Sequence, residues 1–482
     1  MPLVPMAVAM MVGIAAGHLV PTLPSWLWIA ALVVPLLAAA VLLYMGKETP
    51  ASLYSALLMA SFLSLGGLLC QSVDPLHDAG HWTRLAETDS GPSRPHHLAV
   101  RLKETPSPRQ RSWRTAVEVV SFDQQTCRGE TLLFLRNDNS VRQLRIGDEL
   151  LLHIYVDSSR HTLYATGDHY IVSHRDSVSL RARSEAMRMR LLRRMQNGPM
   201  QPRYRGVAEA LTLGWRGDLE TTMQAQFRDA GIMHLLCVSG LHVGVLAALV
   251  GGLLVWLGNE RRGRIVRGSV QLLVLWGFAL LTGLAPATVR AALMFSLLVV
   301  SRMMGRRTDS LNILAAAAIA MLTAKPILLF DVGWQLSFSA VAGILTARPA
   351  IALFRSKLWK AAIVSLAATV ATLPITLATF HQIQPYFLIA NILIVPLAAV
   401  LLFTSLLYMA LPCPITAWPP NQLFRCCDAL TSGISHLPHA TISGLHPVPW
   451  VIALTTLATI FILVTINMTL SRHRDTKSGT PC

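Results

Sequence analysis

Three polar side chains stand together at the start of a long apolar run: His234, Ser239 and His242. A serine and a histidine three residues apart share one face of a helix, so they could serve a hydrolase as nucleophile and base. A nucleophile elbow needs a glycine two residues before the serine, directly after a strand. Cys237 occupies that position and no strand pattern precedes it, so we expect no catalytic residue here. Polar groups at membrane depth usually face other helices or water, which makes these three side chains candidates for lining a channel.

Arg290 is the second feature, because it lies within an apolar run where a charge costs ~2.5–3.5 kcal/mol. Pro286, shortly before it, is well placed to open a helix. The nearest acidic candidate among apolar residues is Asp331, and Gln335 follows it in a segment with further polar side chains. We expect Arg290 to pair with an acid, for which Asp331 is the candidate, to line an aqueous path or to snorkel to the outer interface. The polar segment that contains Gln335 is predicted to line a cavity, and ordinary hydrogen bonding between helices is the alternative for it.

Asn391 is the third candidate, since it also lies in an apolar run. Pro374 and Pro396 interrupt this run and the one before it. Broken helices at membrane depth survive only where they face protein or water. The sequence therefore predicts interrupted helices along a transport path, with Asn391 lining that path.

The composition shows which elements must position these residues. Of 482 residues, 53% are hydrophobic and 14% are charged, against about 25% charged in an ordinary soluble domain. This excludes a plain soluble enzyme, a disordered chain and a disulfide scaffold. A helix needs about 20 mostly apolar residues to cross the hydrocarbon. Several apolar runs reach or approach that length; the runs are Val4–Val20, Trp26–Tyr44, Leu53–Cys70, Leu235–Leu257, Gln271–Leu284, Ala287–Val300 and Val451–Asn467. We predict a polytopic α-helical membrane protein.

A segment of soluble composition is inserted between the apolar runs, and it has the pattern of β-strands. The predicted strands are His97–Glu104, Ser112–Phe122, Gly129–Arg136, Asp148–Val156 and Asp168–Val172. Five short strands in this space fit a small β-barrel of the OB type, a fold that often binds oligonucleotides. Stacking on bases would need exposed aromatic residues, whereas most aromatic residues in such a segment belong to the core. The candidates are Trp113, Phe122, Phe134, Tyr155, Tyr164 and Tyr170.

A strongly basic stretch follows the β segment, in a chain whose net charge is +16. Its candidate DNA-attracting side chains are Arg181, Arg183, Arg188, Arg190, Arg193 and Arg194. Apolar residues alternate with these arginines at helical spacing, which is typical of an amphipathic helix on a membrane surface. The alternative is a collar that attracts a polyanion.

These patterns divide the chain into five parts. We predict N-terminal transmembrane helices (1–70), an extracytoplasmic OB-like β domain (71–180), a basic linker helix (181–205), a second transmembrane domain (206–472) and a cytoplasmic tail (473–482). The orientation rests on basic loops, which stay in the cytoplasm. The arginines used are Arg261, Arg262, Arg264, Arg267, Arg302, Arg306 and Arg307. A consistent topology then needs an irregular or re-entrant segment between residues 386 and 450.

The seven cysteines show no metal-ligand spacing, and no phosphate-binding loop of the G-x-x-x-x-G-K-[ST] type occurs. We therefore expect no metal, no cofactor and no nucleotide-driven motor within this chain.

Four motifs resemble successive signatures of one known family, the ComEC family of bacterial competence proteins. They are His234-Leu-Leu-Cys-Val-Ser-Gly-Leu-His242, Thr288-Val-Arg-Ala-Ala-Leu-Met294, Asp331-Val-Gly-Trp-Gln-Leu-Ser-Phe338 and Ala390-Asn-Ile-Leu-Ile-Val-Pro396. The resemblance implies an inner-membrane channel that passes single-stranded DNA into the cytoplasm during natural transformation. It also implies membrane lipid as a partner, together with other competence proteins: a periplasmic DNA receptor and a cytoplasmic motor or single-strand binders.

One feature of many family members is missing from this sequence. They continue into a metallo-β-lactamase-like domain, but no His-x-His-x-Asp-His cluster follows the last apolar run here. We therefore expect a channel without a metal-dependent nuclease. Three alternatives remain open: a transporter of another anionic or small solute, a serine hydrolase, and a relative without transport activity.

Overall fold

The computed structural model describes residues 3–459 and residue 465, except for 46–49, 74–79, 89–94, 109–111, 137–140, 142–143, 157–161, 166–169, 175–179, 237, 259, 306–308 and 453. The helices are α1 (Leu3–Leu19), α2 (Ser25–Tyr44), α3 (Ala51–Val73), α4 (Trp82–Thr88), α5 (Leu180–Gln196), α6 (Pro202–Leu213), α7 (Thr221–Asp229), α8 (Gly240–Leu253), α9 (Arg261–Leu281), α10 (Pro286–Met303), α11 (Ser310–Ala324), α12 (Val332–Thr346), α13 (Arg348–Leu353), α14 (Lys357–Phe380), α15 (Phe387–Ala410) and α16 (Pro414–Ser435). The strands are β1 (His96–Leu102), β2 (Ser107–Pro108), β3 (Ser112–Phe122), β4 (Gln125–Thr126), β5 (Glu130–Arg136), β6 (Glu149–Ile154), β7 (Thr162–Ala165), β8 (Tyr170–His174), β9 (Gln382–Ile383) and β10 (Ile442–Ser443). The predicted tail 473–482 lies outside the described residues.

Six helices of the described part are long and apolar enough to cross a membrane: α2, α3, α9, α10, α14 and α15. Several shorter apolar helices accompany them, among them α1, α8, α11 and α12. Much of the apolar surface of the long helices is exposed, as on α2, where Val34 and Leu37 are open. A water-soluble protein would bury such surface, so the exposed faces are those of helices in contact with lipid. The prediction of a multi-pass helical membrane protein is confirmed.

The two prolines do not interrupt their helices, and here the prediction was wrong. α14 continues through Pro374 and α15 continues through Pro396. Proline removes one backbone hydrogen bond, and neighbouring helices and polar side chains commonly compensate for that loss in membrane helices. Pro374 is itself buried against its neighbours. Asn391 is therefore held in an unbroken helix.

The four arginines between residues 261 and 267 were predicted to lie in a loop. They instead form part of the first two turns of α9. Arginine favours helices, so these residues extend α9 beyond its apolar part. At the other predicted basic loop, Arg302 is the last-turn residue of α10, while Arg306 and Arg307 lie outside the described residues.

The β segment folds as a mostly antiparallel sheet with the strand order β7-β5-β3-β1-β6-β8. Strands β5 and β7 pair in parallel, and the sheet curls so that β6 approaches β7 as a half-barrel. The five predicted strands match β1, β3, β5, β6 and β8, whereas the short β7 was missed. Strict alternation of buried and open residues along β1 and β5 gives the sheet one apolar inner face. Trp113 and Phe122 lie in that core, as expected of most of the aromatic residues.

The largest apolar core of the membrane part joins α5, α6 and α7 to α15 and α16. Tyr408 on α15 ties this core together, since its hydroxyl donates to the backbone oxygen of Met195 at 3.0 Å. A second core joins α1 to α11 and α12. The linker helix α5 is thus part of the membrane domain's packing on one side.

Candidate functional site

Ser239 and His242 form the amino-terminal cap of α8. The side chain of Ser239 accepts from the backbone of His242, and the imidazole accepts in return from the Ser239 backbone N–H at 3.1 Å. The serine hydroxyl lies 2.9 Å from the same ring nitrogen, Nδ1. Because Nδ1 accepts a backbone N–H, the proton of the neutral ring is on Nε2. That Nε2 is buried and no described residue accepts from it. The arrangement is a reciprocal capping box and lacks the carboxylate that orients the histidine of a hydrolase.

His234 lies in a short 3-10 turn, Met233–Leu236, just before this cap. Its side chain is open to solvent although most of its neighbours are buried. That His234 lines a channel stays a prediction.

Arg290 and Asp331 meet, as predicted. Arg290 is in the second turn of α10, which begins at Pro286, and its Nη1 lies 3.9 Å from Asp331 Oδ1. The same oxygen caps α12 by accepting the Trp334 N–H at 2.7 Å. The carboxylate side chain is 52% exposed and the arginine side chain only 8%. The pair therefore lies at the boundary between solvent and the space buried between the helices.

The other two predicted lining residues are held by local bonds. Gln335 donates from Nε2 to the Leu329 backbone oxygen at 2.9 Å. Asn391 donates from Nδ2 to Ser365 Oγ at 2.7 Å, which links α15 to α14. Two groups result, His234 with Ser239 and His242, and Arg290 with Asp331. Asn391 joins neither group through a described bond.

The basic helix α5 has two distinct faces. Arg183, Arg190, Arg193 and Arg194 are exposed, whereas Arg188 is buried. The side chain of Arg181 lies outside what the structure describes. Arg188 donates to the Leu213 backbone oxygen at 2.8 Å and to Glu185 Oε2 at 3.2 Å, so it holds α5 against α6. Helical spacing places the exposed arginines on the side opposite Leu192 and Met195.

A groove lies on the open side of the curled sheet, where β6 approaches β7. We call it the aromatic groove. Its lining includes Phe134, Arg136, His153, Tyr155 and Tyr164, and it encloses a cavity of about 600 Å³. Phe134 and Tyr164 face each other on paired strands, with ring centroids 5.1 Å apart and planes at 15°. Tyr155 and Tyr164 are 67% and 57% exposed. Sequence analysis missed Arg136 and His153, although the alternation along β5 and β6 places each beside an aromatic residue.

Among the described residues, the β domain contacts the linker helix and the membrane domain at separate points. Thr105, after β1, donates to Glu185 of α5 at 3.0 Å, and the preceding Ser184 donates to the Leu280 backbone oxygen of α9 at 2.6 Å. Lys325, after α11, lies 2.5 Å from Glu130 of β5. The second contact precedes α12, the helix capped by Asp331.

A buried carboxyl group lies beneath α5. Glu209 of α6 is fully buried, and its Oε1 is 3.6 Å from Arg205 Nε. Burial raises its pKa to about 8, the nearby Asp218 adds to the rise and Arg205 opposes it. The neutral form of the carboxyl group therefore suits this position.

Fold and site together define a multi-pass membrane protein with a docked β domain, polar groups at several helix starts and an aromatic, basic groove outside the helices. The model of the Competence protein family matches residues 211–469, more than half of the chain. The chain belongs to the Competence protein family.

Curated relatives agree with this assignment. The chain is 30% identical to ComE operon protein 3 of Bacillus subtilis (strain 168) over 279 residues, which are 56% of this chain and 35% of that protein. It is 29% identical to Competence protein ComA of Neisseria gonorrhoeae over 154 residues, 30% of this chain and 21% of that protein. An uncharacterized protein of Escherichia coli (strain K12), YcaI, is 26% identical over 208 residues, 40% of this chain and 27% of that protein. The matched parts cover about a third or less of each of these relatives. No solved structure matches the chain.

Proposed function

We propose that this protein carries single-stranded DNA across the bacterial inner membrane during natural transformation. The β domain, of OB type and on the extracytoplasmic side, receives the strand, and helices α8, α10 and α12 surround its route. Exposed arginines of α5 attract the polyanion, and membrane lipid surrounds the helices. The chain itself is a channel and not an enzyme.

The aromatic groove carries this proposal. Three aromatic side chains, two of them more than half exposed, stand beside Arg136 and His153 on one open face. Single-stranded nucleic acid is bound where aromatic rings stack on bases and basic groups follow the backbone. A small-solute transporter has no need of such a face outside its helices.

The division of the chain follows from this mechanism. Residues 1–70 and 206–472 are proposed to form the membrane part, 71–180 the receiving domain and 181–205 the basic linker, with a cytoplasmic tail at 473–482. The free energy for transport and the handling of the strand on either side come from other competence proteins: a periplasmic DNA receptor and a cytoplasmic motor or single-strand binders.

The test is binding of a fluorescent dT12 oligonucleotide to the purified chain in detergent micelles. Base–aromatic stacking contributes about 1–3 kcal/mol per base, so we expect Tyr155→Ala and Tyr164→Ala each to weaken binding by about 5-fold or more. Ile171→Ala is the matched control, because Ile171 is 71% exposed on β8 of the same sheet but does not line the groove.

Two results would contradict the proposal. One is that the parent chain fails to bind dT12. The other is that the groove variants and the Ile171→Ala control bind equally well, in which case the solute-transporter alternative gains.

A further inference from the structure

Arg290 is a buried cation whose hydrogen-bonding capacity is little used. Its residue is 6% exposed, and its Nε is buried without a partner among the described residues. Its contact with Asp331, at 3.9 Å, is longer than a hydrogen bond. The same Asp331 oxygen, Oδ1, already accepts a shorter hydrogen bond from the Trp334 N–H. A guanidinium offers five N–H donors in a planar fork, so most of these donors are available to a ligand.

The surroundings of Arg290 add donors and positive helix ends. A side-chain carbon added at Gly240 of α8 would lie 3.8 Å from Ala291, and one added at Gly244 would meet Phe295. Both contacts advance by four residues, so α8 and α10 run parallel, and the first residue of α8 is level with the second turn of α10. α12 begins there too, because a side-chain carbon at Gly333 would lie 3.5 Å from the guanidinium. The amino-terminal ends of helices carry partial positive charge.

A second buried donor, Thr288, lies on a different face of α10. It is fully buried, and its hydroxyl has no partner among the described residues. It shares the face of α10 that carries Ala291 and Phe295, the face toward α8. Residues two apart on a helix point to opposite sides, so Thr288 does not belong to the surroundings of the Arg290 guanidinium. Arg290 brings an unsatisfied, nine-tenths buried group to the amino-terminal end of α12.

We infer that Arg290, with the amino-terminal end of α12 beside it, forms a transient site for one phosphate of the passing strand. This inference rests on the proposed function and names the chemistry of one point on the route. The guanidinium fork matches two phosphate oxygens. Asp331, half exposed at the entrance, competes for the same guanidinium. The loose ion pair therefore opens to admit a phosphate and closes behind it, which keeps the contact weak enough for conduction.

The test measures the salt dependence of dT12 binding to the full chain in detergent micelles, for the parent and two variants. Each phosphate contact to a single strand adds about 0.7 to the slope of log affinity against log salt. Arg290→Gln should lower that slope by about 0.7 and weaken binding. Asp331→Asn retains a good helix cap and removes the competing charge, so it should bind dT12 more tightly than the parent. A dT12 probe with a neutral methylphosphonate backbone should bind the parent and Arg290→Gln equally.

The two variants separate phosphate binding from a structural ion pair. If the pair only holds α10 to α12, both variants lower the melting temperature and leave the affinity and slope for dT12 unchanged, which overturns the inference. That result leaves the proposed function intact, since the parent still binds dT12. If the parent itself does not bind dT12, the proposed function fails first.

Discussion

At the scale of single residues, Ser239 shows how a catalytic-looking pair can serve helix structure. Its hydroxyl is 2.9 Å from His242 Nδ1, the distance expected of a nucleophile and its base. The same nitrogen accepts the Ser239 backbone N–H, however, so the imidazole is engaged in capping α8. The spacing alone predicted that the two side chains would share a face, but only the geometry shows the backbone bond.

Substitutions at Ser239 distinguish capping from nucleophilic catalysis. Asparagine caps helices as well as serine does, whereas alanine at a cap costs about 0.5–2 kcal/mol. We expect Ser239→Asn to keep the melting temperature and most of the transformation frequency, and Ser239→Ala to lower the melting temperature. Equal and complete loss of activity in both variants, with labelling of the parent by a fluorophosphonate probe, would favour the hydrolase instead.

Glu209 makes the stability of the chain depend on pH. Its pKa rises from an ordinary value of 4.5 to about 8 in the fold because it is buried and lies near Asp218. The folded state therefore holds the proton more tightly than the unfolded state, and stability falls as pH rises from about 4.5 to about 8. The Glu209→Gln variant should lose this component and melt at a higher temperature than the parent at pH 8. Glu260→Gln, at an exposed carboxylate, is the control, and an identical pH profile for parent and Glu209→Gln would contradict the assignment.

At the scale of elements, the amino-terminal helices pack through glycine. A side-chain carbon at Gly13 of α1 would overlap the Leu63 backbone oxygen of α3, and one at Gly66 would overlap the Met10 backbone oxygen. A side-chain carbon at Gly17 would likewise lie 3.0 Å from the Gly67 backbone oxygen. Small residues let two membrane helices approach closely, which is the main source of their association in lipid.

Gly13→Ala should therefore separate α1 from α3. Overpacking of this kind typically costs about 1–3 kcal/mol, and we expect a lower melting temperature and less monodisperse protein in detergent. Gly252→Ala in α8 is the matched control, because nothing lies within 4 Å of the added carbon. Equal melting temperatures for the two variants would show that the close approach of α1 and α3 is wrong.

The sequence predicted the elements better than their connections. Apolar length identified the spans, and period-two alternation identified four of the long strands and β8, because burial on one face leaves a local pattern. β7 was missed since it is four residues long. Pro374 and Pro396 led to the wrong prediction of interrupted helices. The compensation for a proline's missing hydrogen bond comes from neighbouring helices and leaves no local signal in the sequence. Arg188 could not be told from its exposed neighbours, since its partner Leu213 is a backbone group distant in sequence.

At the scale of the whole molecule, the β domain is oriented over the membrane domain by contacts that no local pattern predicts. Lys325 and Glu130 are separated by 195 positions and lie 2.5 Å apart. Both side chains are about half exposed, so this pair adds little to stability, at most about 1 kcal/mol. The pair matters for position, because it holds the sheet that carries the aromatic groove beside the amino-terminal end of α12.

Zero-length cross-linking tests that docking. A carbodiimide joins a lysine to a carboxylate only in direct contact, so the native chain in micelles should yield a Lys325–Glu130 isopeptide detectable by mass spectrometry. Lys325→Arg keeps the charge but cannot form the amide, and it should abolish the product. Failure of the parent to form the product, while the partly exposed Lys103–Glu118 pair does at its 2.8 Å separation, would contradict the docked arrangement.

The central claim is that this molecule is the passage for DNA through the inner membrane. The most direct measurement deletes the gene in its native host, supplies fluorescent, genetically marked DNA, and counts transformants beside a complemented strain. The account predicts that transformation is lost and restored on complementation, while fluorescent DNA still accumulates outside the inner membrane of the deletion strain. Undiminished transformation in a competent host would contradict it.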